Sequence, residues 1–115
     1  MKRSGVYRSD VPAEGVQIDL GDKPIEAIAR ALGFPGWFGG NWDALEDCLC
    51  DLSWRQAQDG WVLAFQNVAA GEDFGVLVDI LAAAAEYWRD RGKPFVAVFV
   101  DPQRRLALPE YAGAA

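Results

Sequence analysis

The stretch Trp37-Phe38-Gly39-Gly40-Asn41-Trp42-Asp43-Ala44-Leu45-Glu46-Asp47-Cys48-Leu49 reads as an aromatic and glycine-rich loop followed by a two-faced helix. Asn41 has the right chemistry for an N-cap, because its side-chain oxygen accepts from the free amides of a first helical turn. The helix then starts at about Trp42. At 100° per residue, Trp42, Leu45, Leu49 and Leu52 fall on one face with Cys48 at its edge, whereas Asp43, Glu46, Asp47 and Asp51 fall on the other. One face is suited to a core and the other is a strip of carboxylates.

No Lys or Arg lies between Arg30 and Arg55, so nothing nearby in the chain compensates that strip. Asp43 with Asp47, and Asp47 with Asp51, are i,i+4 like-charge pairs, each costing about 0.2–0.5 kcal/mol on an exposed helix. Asp43 recovers part of this by facing the positive end of the helix dipole, while Asp51 in the last turn faces the negative end. Two readings stay open from the helix alone: a solvated face that keeps the protein soluble, or a surface held ready for a basic partner.

Working outward, Val16-Gln17-Ile18-Asp19-Leu20 alternates with period two, as a half-buried strand does. Asp22 is the expected cap of a helix with Pro24 in its first turn and Ile25, Ile28, Ala29 and Leu32 as its apolar stripe, closed by Gly33 and Pro35. Downstream of the acidic helix, Trp61-Val62-Leu63-Ala64-Phe65 is a continuous apolar run suited to a strand buried on both sides. Phe74, Leu77, Val78, Leu81, Ala85 and Trp88 then recur at helical spacing from about Asp73 to Arg91, and Phe95 to Val100 forms a last strand. Helical crossovers between strands imply a parallel sheet with right-handed connections. The fold expected is a small two-layer α/β domain with a three-stranded parallel sheet and three main helices, over residues 15–101. Residues 1–14 lack periodicity and read as an arm or a loosely attached edge segment, and residues 102–115 as a C-terminal tail.

The chain has 115 residues, which suits one domain, and 51% apolar residues, which suits a packed core. Eleven basic against seventeen acidic side chains give a net charge of −6, which disfavours nucleic acid and anionic membranes and favours a basic protein as partner. Cys48 and Cys50 lie two apart on a helix, point away from each other and cannot pair, so both are expected as free thiols. With no histidine and only these sulfurs, no metal site and no cofactor are expected. No apolar run reaches signal-peptide or membrane-spanning length, and a cytoplasmic protein, monomeric when free, is expected.

The thirteen residues quoted above fit, at every fixed position, the pattern aromatic-aromatic-G-x-N-x-D-A-L-x-D-C-L of the barstar-like inhibitors of ribonucleases, which this chain resembles. Asp51-Leu52-Ser53-Trp54 looks like the continuation found in bacterial members, and the order of elements from about residue 15 to 101 is similar to theirs. The resemblance implies that the acidic helix and the loop before it plug the active-site cleft of a barnase-like ribonuclease, a secreted or toxin enzyme, and give immunity to it. By that resemblance Asp43 and Asp47 would be the buried anionic anchors, Trp37 the contacting aromatic, and Gly39 and Asn41 would shape the loop; Glu46 and Asp51 join the candidate contact strip by their spacing on the same helix face. Of the two loop aromatics, Phe38 is expected inward and Trp37 outward.

Several positions depart from the family's best-known member. Glu46 stands where that member has a tryptophan, and Trp37 replaces a tyrosine. Its further glutamate, five residues before the glycine that ends the last helix, corresponds here to Tyr87, with Glu86 about 100° away around the helix. That role is therefore not carried over. The departures motivate an alternative, a non-enzymatic adaptor that binds another basic protein through the same acidic face. Catalysis is not expected, because the chain lacks histidine, a phosphate-binding glycine loop and a second acidic cluster to face the first.

Overall fold

A computed structural model describes residues 4–35, 39–52, 60–68 and 72–111. Their elements, in chain order, are β1 (Gly5–Ser9), β2 (Val16–Asp19), α1 (Pro24–Leu32), α2 (Trp42–Leu49), β3 (Trp61–Gln66), α3 (Glu72–Asp90) and β4 (Phe95–Val100). The strands form one parallel sheet in the order β1-β4-β3-β2. The apolar run Phe95 to Phe99 is fully buried because β4 is central, paired with β3 on one side and β1 on the other.

The sheet has four strands where the sequence predicts three, because the segment read as an arm or loosely attached edge segment contributes the edge strand β1. Its inward positions are Val6 and Arg8, so a charged residue stands where an alternating pattern requires an apolar one. Burial of Arg8 is compensated by Asp10, two residues on, and from the far end of the chain: it pairs with Asp10, with Asp101 (3.4 Å) and with Glu110 (3.8 Å), and donates to the Asp101 carbonyl at 2.8 Å. The tail runs alongside, as Arg8 N donates to Pro109 O (2.9 Å) and Tyr111 N to Arg8 O (2.8 Å).

Two successive crossovers, β2 to β3 and β3 to β4, step across the sheet in the same direction, so right-handedness puts all three helices on one face. There Leu63, Phe65, Ala97 and Phe99 meet Ile28, Leu45, Leu49 and Leu81 in a single core. The segment from β1 to β2 crosses the other face, where Gln17, opposite Ile18 on the strand, donates to the carbonyls of Ala13 (2.9 Å) and Gly15 (3.3 Å). Helix α1 is capped at Lys23 without a side-chain bond, not at Asp22, and ends at Gly33 in the left-handed region (φ +66°), from which Phe34 N reaches Ala29 O at 2.9 Å. No helix among the described residues is long and apolar enough to cross a membrane.

Candidate functional site

Helix α2 begins as its sequence dictates. Asn41 is extended (φ −126°, ψ 174°), and its Oδ1 accepts from the Ala44 amide at 2.8 Å. Gly40 enters the cap at φ +73°, a left-handed turn that costs glycine little. Leu45, Cys48, Leu49 and Leu52 are buried, with Trp42 packed partly against the same core. Asp43, Glu46, Asp47 and Asp51 are all exposed, as are Gly39 and Asn41.

The helix is shorter than the sequence implies. It ends at Leu49, after which Cys50 N bonds Glu46 O (3.0 Å), and Asp51 N and Leu52 N both bond Cys48 O (3.1 Å). Leu52 sits at φ +48° and Asp51 lies in the closing turn, so only Asp43 and Asp47 form an i,i+4 pair within the helix.

Packing against α3 fixes the far end of α2. The Trp88 indole Nε1 donates to Leu49 O at 2.7 Å, which satisfies a carbonyl that a helix C-terminus otherwise leaves to water. Trp88 itself packs against Trp61, with ring centroids 4.4 Å apart. A cap at one end and an interhelical hydrogen bond at the other thus hold the acidic face in a fixed direction.

Among the described residues, no ion pair involves any of the four acids; every pair gathers around Arg8 and Asp10 at β1. The site is an anionic ridge on a pinned helix, with no ion-pair partner among the described residues. Burial pushes the Cys48 thiol up, with Asp51 and Asp47 adding to the effect, and burial followed by Glu46 and Asp47 does the same at Cys50. Both sulfurs are therefore poor nucleophiles at neutral pH. No group of three or more His, Cys, Asp or Glu side chains among the described residues is arranged to hold a metal.

Trp37, and with it the expected inward Phe38 and outward Trp37, lies outside the described residues. Tyr87 is half-buried and Glu86 exposed. Two features were not singled out from sequence: the Trp88 anchor, and the stacking of the Arg91 guanidinium on the Tyr87 ring at 3.5 Å. The second carries a readable signal, since aromatic and basic residues at i,i+4 meet on a helix surface.

A family model described as Barstar (barnase inhibitor) matches residues 11–100, a span that takes in β2 through β4 and leaves β1 and the tail outside. Neither a curated protein nor a solved structure matches the chain.

Proposed function

Because the chain belongs to the Barstar (barnase inhibitor) family, we propose that it inhibits a barnase-like ribonuclease by laying α2 and the preceding loop across the enzyme's active-site cleft. The observation that carries this reading is the set of exposed carboxylates, Asp43, Glu46, Asp47 and Asp51, with no ion-pair partner among the described residues, at the surface of a helix fixed at both ends.

An enzyme that cleaves RNA must aim Arg and Lys at phosphates and at the charge that develops on them. Carboxylates at fixed spacing accept the same donors through charge-assisted hydrogen bonds, so the inhibitor uses groups its target cannot discard. Asp43 and Asp47 occupy the middle of the ridge as anchors, Glu46 and Asp51 flank them, and Gly39 and Asn41 shape the loop that presents Trp37. No bond is made or broken and nothing turns over. In this role the protein acts in the cytoplasm, shielding a cell that makes the nuclease before the enzyme is secreted.

The test is titration of the chain into barnase and further bacterial ribonucleases of its class during RNA cleavage. At least one enzyme is expected to stop at equimolar inhibitor. Asp47→Ala is expected to weaken that complex by more than about 2 kcal/mol, a hot-spot scale to which the barnase–barstar pair itself contributed. Cleavage that continues at every ratio, or an Asp47→Ala complex as tight as the parent, refutes the proposal. The alternative of an adaptor that binds another basic protein through the same acidic face draws on the departures at Glu46 and Tyr87; it predicts no inhibition of any nuclease in the same assay.

A further inference from the structure

The last turns of α3 border the acidic ridge, because the Trp88 indole is bonded to the Leu49 carbonyl at the end of α2. Tyr87 meets Trp88 edge-on, with ring centroids 5.2 Å apart, and the Arg91 guanidinium lies over the Tyr87 ring at 3.5 Å. Arg91 Nη1 also donates to the Tyr87 carbonyl at 3.0 Å. Two contacts thus hold an exposed side chain that would otherwise sample many rotamers, and binding through it loses correspondingly little entropy.

Arg91 does not neutralise the ridge. Glu46, Asp47 and Arg91 all act electrostatically on the Cys50 thiol, the acids raising its pKa and the arginine opposing them, so the two signs meet there. Yet no carboxylate among the described residues lies within ion-pair distance of Arg91, which turns back onto Tyr87 instead. An ordered cation beside an anionic ridge is a poor match for a uniformly basic partner, because like charges brought together at an interface are penalised.

The geometry points to a bipolar recognition surface: the ribonuclease whose basic cleft receives α2 carries, on the rim of that cleft, an Asp or Glu that docks against the guanidinium of Arg91 on its Tyr87 plate. This rests on the inhibitory reading above and adds the chemistry by which the chain chooses among ribonucleases. Targets with a basic rim at that place are rejected, and those with an acidic rim are accepted.

The experiment is selection from a displayed library of catalytically inactivated barnase with the positions around its cleft randomised. The full-length chain, Arg91→Ala and Arg91→Glu serve as parallel baits, with thermal melts to verify that each bait is folded. The parent bait is expected to enrich Asp or Glu at one rim position about tenfold over the unselected library, the ratio one charge-assisted contact supplies. Arg91→Ala erases that enrichment and Arg91→Glu replaces it with Lys or Arg. If all three baits select the same rim residues, or if Arg91→Glu simply binds every clone faster through its added negative charge, the inference is overturned and the inhibitory reading stands. If no clone is captured in a way that depends on Asp43 and Asp47, the inhibitory reading fails and this inference with it.

Discussion

Replacing Asn41 by alanine tests whether the acidic ridge depends on its cap. The side-chain oxygen accepts one hydrogen bond, from the Ala44 amide at 2.8 Å, and the position is exposed. Water can take over the freed amide, so the loss is the usual N-cap increment of about 1 kcal/mol rather than the larger penalty of a buried unsatisfied donor. At about 2.1 cal/mol/K of unfolding entropy per residue, a chain of this length has an unfolding entropy of about 0.24 kcal/mol/K, and Tm should fall by about 4 °C. Asn41→Asp keeps the oxygen and places a negative charge at the positive end of the helix dipole, so its Tm should equal or exceed that of the parent. Affinity for an inhibited nuclease should follow the same order: a frayed first turn must be reordered on binding, at most about 1 kcal/mol or about fivefold in Kd, because Asp43 sits in that turn. Circular dichroism melts and competition binding measure both quantities. An Asn41→Asp protein destabilised as much as Asn41→Ala would show that the oxygen is not what holds the helix start, and the account of the site would have to be rebuilt.

Trp88→Phe removes the donor to Leu49 O together with part of the contact to Trp61, and should lower stability by about 1–3 kcal/mol in urea titration; an unchanged midpoint would show that α2 is positioned by its leucines alone. Burial by itself would raise the Asp101 carboxyl, but amide donors from Leu106 and Arg105, both at 2.9 Å, and the Arg8 guanidinium outweigh it and hold the carboxyl below its ordinary value. A carboxyl depressed in the folded state contributes stability that is complete above its unfolded pKa, about 3.9, and is lost as pH falls through the folded value. The urea midpoint should therefore drop as the medium is acidified below about pH 4. Asp101→Asn should be less stable at neutral pH and respond less to acid, and a variant with the parent's acid response would disprove the assignment.

What the sequence discloses and what it conceals divide along a physical line. The β3 and β4 runs and the stripe of α3 are legible because burial imposes an apolar pattern on residues that are neighbours in the chain. β1 is concealed because its second inward position is Arg8, whose partners Asp101 and Glu110 arrive from the opposite end of the chain. The start of α1 is misread for a local reason: Pro24 holds the residue before it out of the helical region, so Lys23 takes the cap position whatever its side chain offers. At the site, the exposure of Asp43, Glu46 and Asp47 follows from helical spacing and is borne out, and Asp51 is exposed from the turn that closes the helix. The length of α2 is not, because the turn at Cys50 to Leu52 rests on backbone bonds to Glu46 and Cys48 that any side chains could make. Nor does the sequence show that the Trp88 indole will find a backbone carbonyl in another helix.

The placement of α2 is decided by its buried side, and its acids are free of that decision. Leu45, Leu49 and Leu52 are at most 1% exposed, and each contributes about 1.5–3 kcal/mol through burial, whereas the one i,i+4 like-charge pair within the helix, Asp43 with Asp47, costs about 0.2–0.5 kcal/mol. The leucines would hold this helix in the same place with Lys, Gln or Ala on its outer face, and Lys or Ala would be the better helix residues. Burial therefore explains where the ridge is but not why it is acidic, and among the described residues neither a cap nor an ion pair supplies the reason for Glu46, Asp47 or Asp51. Solubility alone does not require four acids without an intervening base, since mixed charges serve it as well and relieve the repulsion. What the fold leaves unexplained is charge of one sign at fixed spacing, and the inhibition proposed above supplies the complement, a cationic cleft that must remain cationic to do its own chemistry.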